Sequence, residues 1–392
     1  MRISDAFRDW QETGNVRRDI IKLALLAFLV AFAGVAFLFI GFFNVAASTG
    51  HWAVTDVVLH TVMRQSVKFH ASGIELADLD DMGLVQAGAG HFEAGCAPCH
   101  GSPAERRNPV VLEMTPHPPS LDEKVPHWQP NELYWIVKNG VKFTGMPAWP
   151  TRRREGEYGA WHDREIEAMV AFLQRLPDMT AGEYERLALG PVAREAGEAS
   201  ARLQGLSEPV VPLLQTCARC HGFDGRGRGS SLIPRLDLQT EEYLLASLRA
   251  YARGTRMSGM MQLQASGLSE HEMRELARYY SQQEAGSVDP GTSFLDEDLV
   301  ERGREIATEG LPREKIPACH SCHGTERPRR EIIPRLAGQR REYLEFQLKL
   351  WHAERRGGTN FAHVMEAAAR GLDETHIPAL AAYFSALPPV RD

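Results

Sequence analysis

The chain has 392 residues, room for about two to four domains of roughly 100–200 residues each. Its 43% hydrophobic and 24% charged residues are ordinary for a globular protein and exclude a disordered, collagen-like or low-complexity chain. A formal charge of −7 lacks the basic footprint of a nucleic-acid binder, so no nucleic-acid partner is expected.

The first 24 residues hold five Lys/Arg against four Asp/Glu, a surplus of one positive charge that leaves −8 downstream. Residues 20–43 then run from Ile20 to Phe43 with a single charge, Lys22, and about 20 apolar residues suffice to cross a bilayer. Arg17, Arg18 and Lys22 flank the run on its N-terminal side, and no Lys or Arg occurs between Asn44 and Val54. The positive-inside rule then assigns residues 1–19 to the cytoplasm and everything past the anchor to the periplasmic side of the inner membrane. The alternative is a cleaved signal peptide with Val45-Ala46-Ala47 as the small-residue site, but a signal core runs only about 7–15 residues.

Residues 44–81 read as a membrane-proximal linker, with Trp52, Leu59, Val62 and Met63 on an amphipathic helix. Three units of one plan follow, at 82–178, 198–284 and 295–388. Each has a helix before a cysteine pair, a loop-rich middle, and a closing helix with an aromatic-rich apolar face. The closing helices are predicted over 163–173, 269–280 and 373–384, with Asp163, Ser269 and Asp373 as N-caps. Ile233-Pro234-Arg235-Leu236 recurs as Ile333-Pro334-Arg335-Leu336, and Glu242-Tyr243-Leu244 as Glu342-Tyr343-Leu344. The second and third units are thus an internal duplication, and the first is a more distant relative. Linkers are expected over 178–197 and 285–294, where helix periodicity lapses and Gly and Pro gather.

All six cysteines fall in three Cys-x-x-Cys pairs, each followed directly by His: Cys96/Cys99/His100, Cys217/Cys220/His221 and Cys319/Cys322/His323. Two thiols three positions apart project from one helical turn and suit thioethers to the two vinyl groups of one haem, and the next His supplies the fifth iron ligand. A zinc half-site or a redox pair explains a single Cys-x-x-Cys, but zinc needs four ligands and neither accounts for three separate pairs with a trailing His. Three covalently bound haem c groups are therefore expected.

A sixth ligand has to come from elsewhere, and Met/His ligation raises the reduction potential of electron-carrying cytochromes. Met146, in Gly145-Met146-Pro147-Ala148-Trp149, lies 46 residues after His100. Met365 and Met261 lie 42 and 40 residues after their haem His, each seven before a Leu, Leu372 and Leu268. Met257 and Met260 compete with Met261, Met260 most closely, and His363 competes with Met365. The Nδ1–H of each ligand His needs a carbonyl to fix its ring; Pro234 and Pro334 are the expected suppliers, with Pro119 as the looser equivalent in the first unit. No P-loop, nucleophile elbow or dinucleotide fingerprint occurs in a credible context, and no catalytic residue is expected.

With these motifs in place, the chain resembles the class I cytochromes c. The second and third units look like the two halves of diheme periplasmic cytochromes of the c-four kind, through Cys-x-x-Cys-His, Ile-Pro-Arg-Leu, Tyr343-Leu344-Glu345-Phe346-Gln347-Leu348 and the Met261 and Met365 loops. The first unit looks like the monohaem module of membrane-bound cytochromes, through its Gly-Met-Pro-Ala-Trp loop. The resemblance implies an all-α chain, one transmembrane helix followed by three tandem class I cytochrome c domains. It also implies electron exchange with the bc complex, a terminal oxidase or a periplasmic dehydrogenase. The competing expectations are a dedicated cytochrome subunit of such a complex, or a haem enzyme with an open sixth position. A plausible Met in every unit argues against the last.

Overall fold

A computed structural model describes residues 3–41, 44–76, 78–149, 163–190, 210–287, 296–324, 330–358 and 360–389. The chain divides into two units, Met1–Ala53 and Val54–Asp392.

The first unit is dominated by one helix, α1 (Ile3–Ile40), whose stretch Val16–Ile40 is long and apolar enough to cross a membrane. Its 25 residues span about 37 Å at 1.5 Å per residue, against a hydrocarbon core of about 30 Å. The helix departs from the expected 20–43 boundaries. It begins well inside the N-terminal flank, which holds no Pro to stop it, and ends before Gly41 at φ +70°. Phe42 and Phe43 lie outside the described residues.

The second unit is helical, and its described residues include no strand, only the isolated bridges Arg256↔Gly357 and Leu311↔Ile316. It opens with α2 (Ala53–Ala71), a helix within the expected 44–81 linker whose C-terminal end packs on the folded body. Val67 and Ala71 are buried, Asn131 Nδ2 donates to Ala71 O (2.9 Å), and His70 stacks on Trp135 at 5.7 Å.

Three apolar clusters follow the chain. In the first, α3 (Met82–Gly95) crosses α5 (Asp163–Arg175), with α4 (Pro130–Asn139) alongside. The crossing is at Gly88, where an added Cβ would come within 2.1 Å of Ala168 O. Tyr184 and Ala188 close this core from Ala181–Tyr184 and Glu185–Leu189, so the first part of the expected 178–197 linker is helical. Residues 191–209 and 288–295, with the expected boundaries at 198 and 295, lie outside the described residues. In the second cluster α6 (Val210–His221) packs on α9 (Glu270–Ser281), with α7 (Glu241–Ala252) and α8 (Gly259–Ala265) between them in sequence. In the third, α10 (Glu297–Glu309) crosses α13 (His376–Ala386) at Gly303, whose Cβ would sit 2.0 Å from Ala379 O. Helices α11 (Arg341–His352) and α12 (Ala362–Ala369) complete it.

The closing helices lie where the sequence predicts them. Ser269 caps α9 in a reciprocal box with Glu272. Asp373 departs from its expected place: α13 begins three residues later, and the Asp373 carboxylate instead accepts from the N–H groups of Thr375 (2.8 Å) and His376 (3.0 Å).

Candidate functional site

Each Cys-x-x-Cys-His sequence occupies helical turn geometry. Cys96 ends α3 and leads into the turn Ala97–His100; Cys217–His221 forms the last turns of α6; Cys319 precedes the turn His320–His323. No disulfide joins any two of the six cysteines. Burial pushes the Cys96 and Cys217 thiols up to about 12, and those of Cys220 and Cys319 up to about 11.

His100 Nδ1–H donates to Pro119 O (2.9 Å) and His323 Nδ1–H to Pro334 O (3.0 Å), the carbonyls expected from the sequence. A carbonyl only accepts, so these bonds put the ring proton on Nδ1 and leave Nε2 as the lone pair a metal takes. His221 is buried, which holds its imidazole down at about 4, an effect the Pro234 carbonyl only partly offsets. Its Nδ1 makes no hydrogen bond at normal distance. Burial also lowers His100 and His323, so all three rings are neutral near pH 7.

A cavity of about 540 Å³ joins the second and third units. Cys217, His221 and Met261 line it on one side, and Cys319, Cys322, His323 and Met365 on the other. Met261 and Met365 stand on the short helices α8 and α12, not on loops. Met260, one residue from Met261, turns away and packs against the first unit's core. His363 is exposed. His320 engages both ring nitrogens, Nδ1 with Gly324 O (2.7 Å) and Nε2 with Tyr383 Oη (3.0 Å).

Other expected site residues lie outside this cavity. The Cys220 thiol turns toward α3, where a Cβ on Gly90 would come within 2.6 Å of its sulfur. Cys96, Cys99, His100 and Met146 belong to the first unit. The Met146 segment is held locally: Met146 N–H donates to Thr144 Oγ1 (3.1 Å), and Val141 N–H donates to Met146 O (3.3 Å). Met114 packs over Gly145, where a Cβ would come within 2.1 Å of its methyl carbon.

Four further residues, missed from the sequence, build the junction around the cavity. Arg256 and Arg356 are 4% and 5% exposed. Arg256 donates to Tyr343 Oη (3.0 Å) and Ser247 Oγ (2.9 Å), and Arg356 to Tyr243 Oη (3.1 Å) and Gln347 Oε1 (2.9 Å). Burial alone would raise the Tyr243 phenol, but the two guanidiniums hold it below its ordinary range. Gln239 donates to Arg335 O (2.8 Å) and accepts from Arg335 N–H (3.1 Å). Gln339 does the same with Arg235, at 3.0 and 2.8 Å. The contacts are reciprocal, as across a two-fold axis. Gln239, Arg235, Tyr243 and Arg256 recur as Gln339, Arg335, Tyr343 and Arg356, an offset of one hundred residues that is the signal marking them in the sequence.

The family described as cytochrome c oxidase, cbb3-type, subunit III matches residues 83–173 and 213–279. Cytochrome c-552 of Acidithiobacillus ferridurans is 30% identical over 197 residues, covering 49% of this chain and 83% of that protein. The thiosulfate dehydrogenase electron acceptor of Thiomonas intermedia is 32% identical over 179 residues, 45% of this chain and 81% of its own length. The chain belongs to the cytochrome c family. Cytochrome c4 of Azotobacter vinelandii is 29% identical over 212 residues, 51% of this chain and 94% of that one.

Membership in the cytochrome c family brings covalently bound haem c and electron transfer. The residues of this cytochrome c fit that group. Each imidazole follows a pair of cysteines not joined in a disulfide, and the thioethers of Met261 and Met365 line the cavity together with His221 and His323. Arg256 and Arg356 line it too, and among the described residues neither pairs with a carboxylate. A buried cation without an anion is costly, and an anionic group bound in this cavity would find both guanidiniums within its walls.

Proposed function

We propose that this cytochrome c is a membrane-anchored triheme electron carrier working on the periplasmic side. In this reading Cys96/Cys99, Cys217/Cys220 and Cys319/Cys322 hold the haems, and the axial pairs are His100/Met146, His221/Met261 and His323/Met365. The observation that carries it is the convergence of Cys217, His221 and Met261 with Cys319, Cys322, His323 and Met365 on one cavity. Bound haem supplies one-electron Fe(II)/Fe(III) chemistry. The His and Met of each site would hold the iron, leaving no position for a substrate, and burial together with a thioether ligand would raise the potential. The apolar stretch of α1 supports the anchor, which would confine the carrier to the membrane surface near its partners.

The test is haem stoichiometry by pyridine haemochrome on the purified full chain, together with intact mass. Three haems per chain are expected, and two when Cys319 and Cys322 are both changed to Ser. A wild-type count of two, or a count the double change leaves intact, refutes the reading. Met365→Ala is expected to open one reduced haem to carbon monoxide; if that haem stays low-spin and closed, Met365 is not its ligand.

A second reading, a dedicated cytochrome subunit of an oxidase or dehydrogenase complex, draws support from the names of the oxidase-subunit family and of the Thiomonas relative. Haem-stained native electrophoresis of mildly solubilised membranes separates the two. Co-migration with a large partner favours the subunit, and migration near its own mass favours a shared carrier of the kind that serves the bc complex and terminal oxidases.

A further inference from the structure

One carboxylate of the first unit reaches the methionine segments of two sites. Glu165, in the first turn of α5, accepts from Trp149 Nε1–H (3.1 Å) and from Gly259 N–H (2.8 Å) through Oε2, and from Ser258 Oγ–H (2.5 Å) through Oε1. Trp149 lies three residues after Met146. Ser258 and Gly259 lie just before Met261, and Ser258 Oγ in turn accepts from Met261 N–H (3.1 Å). The junction is tight. Trp149 and Ser258 are 7% and 6% exposed, and a Cβ on Gly259 would fall 2.0 Å from Trp149 Nε1. His91 packs on the other side of the indole, ring centres 4.9 Å apart. These three bonds run from the first turn of α5 to the two methionine segments.

We propose that Glu165 is a positioning residue shared by the first and second haem sites, its carboxylate bracing the Met146 and Met261 segments against each other. Loosening of either segment then loosens the other, and one negative charge acts on both irons. The proposal rests on Met146 and Met261 as axial ligands, and the third site, which Glu165 does not touch, serves as internal reference.

The experiment uses the full chain with its haems. Imidazole is titrated against the ferric protein, and loss of the far-red methionine-to-iron charge-transfer band reports displacement of Met. Reduction potentials are read by spectroelectrochemistry. Glu165→Ala is expected to raise imidazole affinity about tenfold at two haems, the factor that losing a charged hydrogen bond carries, and to leave the third unchanged. Ser258→Ala, which removes one bond of the brace, is expected to raise it at the same two haems by a smaller factor. Glu165→Gln keeps an oxygen for Gly259 or Trp149 and an amide for Ser258. It should restore near-wild-type imidazole affinity while raising two potentials, because the charge that favoured Fe(III) is gone. Wild-type behaviour of Glu165→Ala, a change confined to one haem, or an equal change at all three with a lowered Tm each overturns the proposal. If Glu165→Ala does not fold, Ser258→Ala and Glu165→Gln carry the same decision. Met146→Ala and Met261→Ala separate the two layers. If they keep the full charge-transfer intensity, the ligand reading has failed; if each loses one site's share while the Glu165 variants change nothing, only the bracing has.

Discussion

Gln239 and Gln339 each use a side-chain amide as a substitute peptide group, satisfying both the N–H and the C=O of an arginine in the other unit. Gln339 is 3% exposed and Arg235 likewise 3%, so no water replaces the lost partner when the amide is removed. Gln339→Ala is therefore expected to cost about 2–4 kcal/mol, the penalty for leaving a buried donor and acceptor unmet. Urea unfolding checks this: the midpoint falls and the slope stays. At this scale the sequence was legible where chemistry demands a residue type at a spacing, as in the attachment turns and the prolines that supply carbonyls to His100 and His323. It was silent where a residue matters only through its neighbour. Glutamines and arginines carry no ligand signature, and Gln239, Gln339, Arg256 and Arg356 stand out only once the repeat is followed past Leu336. Met260 and Met261 are the sharpest case. Adjacent helical residues point about 100° apart, and it is the first unit's core that receives Met260.

The helices of the first and third units meet at glycines. An isolated glycine inside a helix reads as a liability of about 1 kcal/mol, so nothing in the local sequence marks Gly88 or Gly303 as a contact point. The structure supplies the reason: each lets its helix lie directly against a carbonyl of the closing helix. Gly303→Ala forces α10 and α13 apart, and the strain is expected to cost about 3 kcal/mol or more, beyond any gain in helix propensity. Thermal unfolding followed by loss of helix should show a lowered Tm; an unchanged or raised Tm would mean the crossing gives way without strain. Closing helices α5 and α9 were readable because each buries a wide apolar face at 3.6-residue period, whereas α13, buried continuously from Ala379 to Phe384, was readable as an apolar run. The segment 181–189 was not, being too short for periodicity and helical because Tyr184 fills the first core at 0% exposure.

At the level of the whole molecule, the second and third units share a cavity, two reciprocal glutamine clasps and two crossed arginines. They are expected to unfold in one transition, detected as coincident loss of helix and of both haem environments. Gln239→Ala combined with Gln339→Ala should split it in two; a single transition in the double variant would show that the clasps do not couple the units. The duplication announced this pairing in the sequence, whereas the seating of the first unit on the second was invisible there, because it depends on Glu165, Gly90 and Ser258 in segments without repeat or motif. That seating bears on how the chain is made. Gly90 lies over the Cys220 sulfur, where a Cβ would come within 2.6 Å. In the triheme reading proposed above that sulfur carries a thioether, so attachment is expected to precede closure of the first unit on the second.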